Sequence, residues 1–137
     1  MFGLDASVAA SWCFADEFHP SAAAAYERIA EESAVAPALF WFELRNVLLT
    51  GERQKRITEA QTVRFLKLIG ELPIAVDREP DESKVLSLAR AHKLSVYDAA
   101  YLELAKREGL DLATLDGALM RAARAEKVTL VGSVRRA

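Results

Sequence analysis

The sequence predicts an α/β domain in which a mostly parallel β-sheet is covered by helices on both faces. Short apolar segments of four to seven residues alternate along the chain with longer segments whose apolar residues recur at helical spacing. Strands that are separated by helices of this length are joined by right-handed crossovers, which make neighbouring strands parallel. The length of 137 residues is that of one domain. We therefore expect a single domain that spans residues 1–137.

The first half of the chain is predicted to contain two strands and three helices. In chain order these are the strand 2–5 (FGLD), a helix that opens near Ser7, the helix 19–32, the strand 33–37 (SAVAP) and the helix 38–51. The helix 19–32 is rich in alanine, the residue with the highest helix propensity. Gly51 is expected to close the helix 38–51, because glycine is common just after the last helical residue.

Two helix starts in the second half carry capping signals. Thr58 is followed three positions later by Gln61, and Ser95 is followed three positions later by Asp98. Both pairs match the capping-box pattern, in which the two side chains bond to each other's backbone N–H groups. The predicted elements of this half are, in chain order, the helix 57–72, the strand 73–76 (PIAV), the helices 82–93 and 94–106, the strand 110–116 (LDLATLD), the helix 117–126 and the strand 128–131 (VTLV).

Composition and charge exclude several classes of protein. Hydrophobic residues make up 52% of the chain, charged residues make up 28%, and the net charge is −2, as in an ordinary globular domain. The longest run without a polar residue, AVAPALFWF, has nine residues, about half of what a bilayer crossing requires. No secretory signal pattern opens the chain, and a single cysteine with two isolated histidines gives no disulfide or zinc framework. We expect a reduced, cytoplasmic protein that does not enter a membrane.

Two segments are locally basic although the whole chain is slightly acidic. Residues 51–68 contain five Lys or Arg against two Glu, a local charge of +3, and residues 121–137 contain five against one Glu, a local charge of +4. Basic segments around an acidic centre would suit a phosphodiester substrate. The alternative is that these side chains only solvate helix surfaces. The candidate nucleic-acid-binding residues are Arg53, Lys55, Arg56, Arg121 and Arg124.

Four carboxylates fall where a parallel sheet places its ligands. Asp5 and Asp116 end predicted strands, while Glu43 and Asp98 lie near the starts of predicted helices. Ligands of open α/β sheets bind outside the carboxyl ends of the strands, so these four acids can converge on one crevice. The alternatives are that each Asp only caps its helix and that Glu43 lies on an exposed helix face.

The neighbours of these acids favour a metal site. Three of the acids are accompanied by a short hydroxyl or amide side chain: Asp5 by Ser7, Glu43 by Asn46, and Asp116 by Thr114. Oxygen ligands of this kind without histidine are typical of Mg²⁺ or Mn²⁺ sites, and not of zinc sites. Carboxylates that share a crevice repel one another unless a cation is present, and such a cation can activate water beside a phosphate.

Four segments of the chain resemble the PIN-domain ribonucleases, and most closely the VapC-like toxins of bacterial type II toxin–antitoxin systems. The segments are LDASVAASW, APALFWFELRN, LSVYDAAYLELA and LATLDGAL, in the order and approximate spacing of that family. The resemblance implies an α/β/α sandwich, dependence on Mg²⁺ or Mn²⁺, and dimerisation. It also implies an acidic quartet and a looser set of supporting polar residues. The quartet is Asp5, Glu43, Asp98 and Asp116, and the supporting residues are Ser7, Asn46, Ser95 and Thr114.

The function expected from these residues and this resemblance is that of an endoribonuclease that acts as a toxin. Its substrate would be RNA, with tRNA and rRNA as candidates, and its partner would be a cognate antitoxin that covers the acidic crevice. The alternatives are a PIN-fold nuclease of RNA maturation or decay and a catalytically silent binding module. A phosphotransfer or phosphatase domain is disfavoured, because it would need a second Asp where Ser7 stands.

The predicted helices 38–50 and 58–70 carry more apolar side chains than one core face requires. We therefore expect a homodimer; the alternative is that all of these side chains belong to the core of one domain. The residues concerned are Phe40, Trp41, Leu48, Leu49, Phe65 and Leu66. The terminal sequence SVRRA is assigned no role.

Overall fold

In a computed structural model, residues 1–133 form a parallel sheet of four strands surrounded by seven helices. The structure describes residues 1–133. Two residues of the C-terminal basic segment, Arg135 and Arg136, lie outside this range, as does the SVRRA tail after Ser133. The strands are β1 (Phe2–Leu4), β2 (Ala34–Pro37), β3 (Ile74–Asp77) and β4 (Leu112–Ala113). The helices are α1 (Ala6–Ser11), α2 (Pro20–Ile29), α3 (Phe40–Arg53), α4 (Glu59–Glu71), α5 (Glu82–His92), α6 (Val96–Glu108) and α7 (Gly117–Ala125).

The sheet has the strand order β3-β2-β1-β4, and every pair of neighbouring strands within it is parallel. In β1, Gly3 pairs with Val35 of β2 on one side and with Leu112 of β4 on the other. The carboxyl ends of β1 and β4 therefore meet at the same edge, and Asp5 follows the one while Asp116 follows the other. The predicted α/β fold with a central parallel sheet is confirmed.

Helix α6 lies at the centre of the core. Seven consecutive residues, from Ala99 to Ala105, are buried, and the helix contacts β1, β2, β4, α5 and α7. A helix that is buried around most of its circumference must be covered on several sides, and here the sheet covers one side and α5 covers another. This packing fixes the first turn of α6, where Asp98 lies, relative to the strands.

The two predicted helix starts with capping signals are present. At α4, the Thr58 hydroxyl accepts from the Gln61 N–H at 3.2 Å, and the Gln61 side chain accepts from the Thr58 N–H at 2.7 Å, which completes a capping box. At α6, the Ser95 hydroxyl accepts from the Asp98 N–H at 3.1 Å. Ser95 therefore caps α6, but the return bond from the Ser95 N–H to the Asp98 carboxylate that a capping box requires is not formed.

The last two predicted strands are shorter than expected. The segment 110–116 forms a strand only at Leu112–Ala113, and the segment 128–131 contributes a single bridge, between Leu112 and Leu130. For the segment 110–116 the reason lies in the residues after Ala113, where the backbone N–H groups of Leu115 and Asp116 bond to the hydroxyls of Ser7 and Thr114. These bonds replace strand pairing at the edge of the sheet where the acids lie.

The expectation that Gly51 closes α3 is wrong. The helix continues to Arg53, and Gly51 lies buried in its last turn against Phe14. A Cβ atom at this position would come within 2.5 Å of the Phe14 ring. Glycine is present here because the Phe14 ring, from the segment after α1, lies against the helix backbone, and the chain leaves the helix only at Gln54.

The apolar side chains expected in excess on α3 and α4 divide between core and surface. Phe40, Leu48 and Phe65 are buried and Leu66 is half-buried, whereas Trp41 and Leu49 are exposed. Further exposed apolar side chains on the same two helices are Phe42, Val47, Val63 and Leu68.

Among the described residues, no helix is both long enough and apolar enough to cross a bilayer.

Candidate metal and catalytic site

Asp5 is held by two hydroxyl groups and is almost completely buried, with 5% of its surface exposed. Its Oδ2 accepts from Ser7 Oγ at 2.8 Å and from Thr114 Oγ1 at 2.6 Å. It occupies the N-cap position of α1 without a side-chain capping bond, so capping does not explain its presence. Burial raises the pKa of Asp5, the hydroxyl bonds oppose that rise, and the charge of Asp116 adds to it.

Asp116 combines a structural bond with a place at the same edge of the sheet. Its Oδ2 accepts from the Leu119 N–H at 2.8 Å and so caps α7. Its own N–H donates to Thr114 Oγ1 at 3.1 Å, while the Leu115 N–H donates to Ser7 Oγ at 3.0 Å. Ser7 and Thr114 therefore tie the ends of β1 and β4 together beside Asp5. The capping interpretation holds for Asp116, but it involves only one of the two carboxylate oxygens.

Glu43 lies half-buried in the first turn of α3 and bonds to the central helix. Its Oε1 accepts from the hydroxyl of Tyr101 at 2.7 Å. Burial raises the pKa of Glu43, and the charges of Asp5 and Asp98 raise it further against the effect of the Tyr101 bond. The carboxylate of Glu43 therefore faces the other acids, contrary to the exposed-face alternative.

Asp98 lies half-buried in the first turn of α6. Burial raises the pKa of its carboxyl group, the charges of Asp116 and Asp5 add to the rise, and a hydrogen bond with Ser95 opposes it. Since Ser95 already caps the helix, the negative charge of Asp98 interacts mainly with the other acids and with the positive end of the helix.

The four acids lie near one another at the carboxyl edge of the sheet, where the crevice was expected, since Asp5 interacts electrostatically with Asp116, and Glu43 and Asp98 each interact with Asp5. None of the four forms a salt bridge within residues 1–133. No group of three or more His, Cys, Asp or Glu side chains in the same residues is placed so that it could hold a metal ion. Carboxylate oxygens with uncompensated charge are the donors that Mg²⁺ or Mn²⁺ prefers, so an ion here would be held partly through water.

The supporting residues differ in what they contact. Ser7 and Thr114 bond to Asp5, and Ser95 bonds to the backbone of Asp98. Asn46 lies exposed on α3, one turn after Glu43, and makes no side-chain hydrogen bond to another described residue.

Tyr101 was not among the site residues predicted from the sequence. It is 1% exposed, and its hydroxyl reaches Glu43, which lies 58 positions earlier in the chain. The sequence did contain a signal for this role: Tyr101 lies three residues after Asp98, so the two side chains are on one face of α6.

The candidate RNA-binding residues differ in whether their charge is already paired within the protein. Arg56 bonds to Asp16 at 3.0 Å and to Glu17 at 2.8 Å, and its guanidinium lies over the Phe14 ring. Its charge is therefore neutralised within the protein. The other four candidates, Arg53, Lys55, Arg121 and Arg124, are exposed and form no salt bridge with a described residue.

A parallel sheet with an acidic crevice at the carboxyl ends of its strands is the arrangement that the PIN-domain resemblance implies. The family model for the PIN domain matches residues 3–125, so the chain belongs to the PIN-domain family. The predicted family is thereby confirmed. A search of curated proteins finds no match.

Solved structures of similar fold include three proteins with good coverage. PAE2754 from Pyrobaculum aerophilum is 25% identical, with a TM-score of 0.69 over 88% of this chain and 83% of its own. FitAcB from Neisseria gonorrhoeae is 20% identical, with a TM-score of 0.63 over 95% and 96%. VapC20 from Mycobacterium tuberculosis, described as a sarcin-ricin loop cleaving toxin, is 14% identical, with a TM-score of 0.61 over 89% and 95%. The last two likenesses establish the fold alone.

Proposed function

We propose that this protein is a Mg²⁺- or Mn²⁺-dependent endoribonuclease that acts in the cytoplasm as the toxin of a type II toxin–antitoxin pair. The observation that carries the proposal is the crevice itself. Asp5, Glu43 and Asp98 have raised pKa values, and no cationic side chain of residues 1–133 pairs with any of the four acids. A crevice with uncompensated negative charge favours the binding of cations.

We assign each residue of the crevice a separate role in the reaction. Asp5, Asp98 and Asp116 would hold the cation directly or through water, and Glu43 would bind it or orient the attacking water. When bound, the cation supplies positive charge to the phosphate and lowers the pKa of a bound water. Ser7 and Thr114 keep the Asp5 carboxylate in place through its Oδ2 atom. Hydrolysis adds water across one P–O bond of the RNA backbone.

Exposed cations outside the crevice would position the RNA. Contacts of Lys and Arg with phosphates fix the register of a nucleic acid without reading its sequence. The candidates are Arg53, Lys55, Arg121 and Arg124, with Arg56 serving only if it leaves its two acidic partners.

The antitoxin is the proposed protein partner. A protein from Klebsiella pneumoniae with this fold was solved as a toxin–antitoxin complex, with a TM-score of 0.55 and 17% identity. The same uncompensated charge that attracts a metal ion would also accept a basic side chain from an antitoxin, and such a side chain would displace the ion. This partner is inferred from the likeness in fold and from the charge of the crevice.

Cleavage of a mixed tRNA and rRNA pool tests the nuclease activity. We expect cutting with Mn²⁺ or Mg²⁺, none in excess EDTA, and a loss of about 100-fold or more in Asp98→Asn. The matched control is Asp81→Asn, because Asp81 also begins a helix, caps α5 through Lys84 N–H, and Asn caps equally well. Equal cutting by wild type and Asp98→Asn, or cutting in EDTA, would refute the proposed mechanism.

Growth of a bacterial host separates a toxin from other PIN nucleases. Induction of the wild-type protein should arrest growth, whereas Asp98→Asn at the same protein level should not. Metal-dependent cleavage of RNA without growth arrest would instead support a role in RNA maturation or decay. Metal binding without cleavage of either RNA class would support the silent binding module.

A further inference from the structure

The start of helix α6 exposes an aromatic ring beside the acids. Tyr97 is 62% exposed and Val96 is 51% exposed, although the seven residues of the same helix from Ala99 to Ala105 are buried. Within residues 1–133, the ring of Tyr97 makes no aromatic contact and its hydroxyl makes no hydrogen bond. Neither core packing nor helix capping, which Ser95 supplies, therefore accounts for a tyrosine at this position.

The position of Tyr97 in the helix directs its ring toward the acids. Tyr97 directly precedes Asp98, with consecutive Cα atoms about 3.8 Å apart, and it lies one turn before Tyr101 on the same face of α6. The hydroxyl of Tyr101 bonds to Glu43 at 2.7 Å, so this face of α6 is the one that meets the acids. Because helical side chains tilt toward the helix N-terminus, the ring of Tyr97 projects beyond this contact into solvent.

A cation without an acidic partner lies just before the same helix start. Lys93 is exposed, forms no salt bridge with a described residue, and lies four positions before Tyr97. Its left-handed backbone, with φ 53°, ends α5, while Leu94 is buried and Ser95 caps α6. The turn that carries Lys93 is therefore anchored on both sides. The sequence-based list of RNA-binding candidates omitted Lys93, because it lies outside both basic segments.

Aromatic rings combined with cations are typical of surfaces that bind single-stranded nucleic acids. Bases stack on the rings while Lys and Arg contact the phosphates, and only a base that has left its own duplex can stack in this way. We propose that Tyr97 is a specificity-determining residue that stacks on an unpaired base beside the phosphate at the acids, and that Lys93 contacts a neighbouring phosphate. This inference rests on the proposed function, since it takes RNA to be the substrate.

Binding of a short fluorescent RNA strand tests the stacking. All variants are made in the Asp98→Asn protein, which is expected not to cut the RNA, and Mg²⁺ is present throughout. Tyr97→Leu, which keeps an apolar side chain and removes the ring, should weaken binding about tenfold, whereas Tyr97→Phe should retain it. The matched controls are Val96→Ala and Phe18→Ala. Both should leave binding unchanged, because Val96 is exposed without a ring and Phe18 is an exposed ring outside α6.

Removal of single bases from the RNA distinguishes stacking from a structural effect of the substitution. With Tyr97 intact, one abasic position should weaken binding about as much as Tyr97→Leu does. In Tyr97→Leu, the same abasic position should have little further effect, because the two changes remove the same contact. A structural effect of Tyr97→Leu would be equal at every abasic position. Pairing the RNA with its complement should weaken binding to the intact ring and have less effect on Tyr97→Leu.

The salt dependence of binding tests Lys93 separately. Lys93→Gln should reduce the slope of log K against log salt concentration by about 0.7, the value for one phosphate contact on a single strand. Lys84→Gln is the matched control and should keep the slope. Lys84 is also exposed on α5 without a salt bridge, but it lines a pocket with Glu103 and Lys106, in the second half of α6. An unchanged slope in Lys93→Gln would refute the phosphate contact.

The outcomes separate this inference from the proposed function. If the single strand binds Tyr97→Leu as tightly as the protein with the ring, or if paired RNA binds as tightly as the single strand, the stacking is refuted and the nuclease proposal stands. If neither form of RNA binds, the inference fails. The proposed function fails with it only when the protein with native Asp98 also cuts no RNA.

Discussion

At the scale of single residues, the crevice is defined by hydroxyl groups as much as by carboxylates. Ser7 and Thr114 each bond both to Asp5 and to the backbone after β4, so they connect two strand ends and hold one acid at once. Asp5 is thereby stabilised in a buried position that would otherwise strongly disfavour its ionised form. Hydroxyl groups do not neutralise the carboxylates, so the charge of the crevice should lower the stability of the metal-free protein at neutral pH.

The pH dependence of stability should reveal the charge of Asp98. Its folded pKa is raised above the ordinary value of 3.8, so the folded state binds the proton more tightly than the unfolded chain does. This group therefore disfavours folding at pH above the raised pKa, and the penalty disappears as the pH falls toward 3.8. In EDTA, Asp98→Asn should be more stable than wild type at pH 7–8, and the difference should shrink on acidification, as measured by urea denaturation at several pH values.

Adding Mn²⁺ should reverse the difference in stability between Asp98→Asn and the wild type. The ion favours the ionised carboxylates, so in saturating Mn²⁺ the wild type should become the more stable of the two at pH 7–8. Equal stabilisation of both proteins by Mn²⁺, together with no difference in EDTA, would contradict the assignment of Asp98 to the crevice.

Much of this residue-scale picture was accessible from sequence. The acids Asp5 and Asp116 follow apolar segments that read as strands, and parallel strands bring such residues to one edge. The contact of Tyr101 with Glu43 could not be predicted from the sequence, because it joins residues 58 positions apart and depends on the rotation of α6 against α3. Periodicity shows which face of a helix is buried, but not which side chain of another helix it meets.

At the scale of elements, errors arose where a local signal competed with tertiary packing. Glycine after an apolar periodic segment is a sound signal for a helix end, yet Gly51 is needed inside α3 because Phe14 lies against it. Likewise, LDLATLD has the composition of a strand, but hydroxyl groups rather than a neighbouring strand satisfy the backbone after Ala113. The capping box of α4 was predicted correctly because all of its bonds lie within four residues.

Gly51→Ala should destabilise the protein although alanine favours helices. The helical gain of about 0.5–1 kcal/mol is outweighed by overpacking of about 1–3 kcal/mol, since the new Cβ atom would displace the Phe14 ring. Gly70→Ala is the matched control, because Gly70 lies in α4 with open space around it and should give a stabilisation of about 0.5–1 kcal/mol. Urea denaturation of both variants measures these changes, and a more stable Gly51→Ala would contradict the close contact.

Thr58→Ala should destabilise the protein by about 1 kcal/mol, because the substitution removes the hydroxyl that accepts from the Gln61 N–H at the start of α4. Thr58→Ser keeps an equivalent hydroxyl and should stay within about 0.5 kcal/mol of the wild type. The free energy of unfolding from urea titration compares the two. Equal losses in both variants would show that the Thr58 methyl group, not the cap, stabilises this helix start.

At the scale of the whole molecule, the alternation of short apolar and longer periodic segments was enough to predict the parallel sheet. Strand order was not predicted, since the segment patterns do not say which strands become neighbours. The distribution of apolar side chains between core and surface was only partly predictable. Phe40, Leu48 and Phe65 fill the core, while Trp41 and Leu49 remain on the surface.

The exposed apolar surface of α3 and α4 predicts a homodimer. Phe42 is 71% exposed and packs edge-on against Trp41, with ring centroids 5.0 Å apart, so the pair presents a sizeable apolar surface. Phe42→Glu should convert a dimer to a monomer in sedimentation experiments at micromolar concentration. Phe18→Glu is the control, because Phe18 is 79% exposed but lies outside both helices. A wild-type protein that sediments as a monomer would contradict the dimer.

The central claim is that Asp5, Glu43, Asp98 and Asp116 together form a divalent-cation site at the carboxyl edge of the sheet. Anomalous diffraction from crystals grown in saturating Mn²⁺ tests it most directly, because the anomalous signal locates the ion without reference to activity. We predict one strong peak in the crevice, within direct or water-mediated reach of all four carboxylates, that is absent from crystals of Asp98→Asn. Peaks only at other surface acids, with the four carboxylates contacting water alone, would contradict the account.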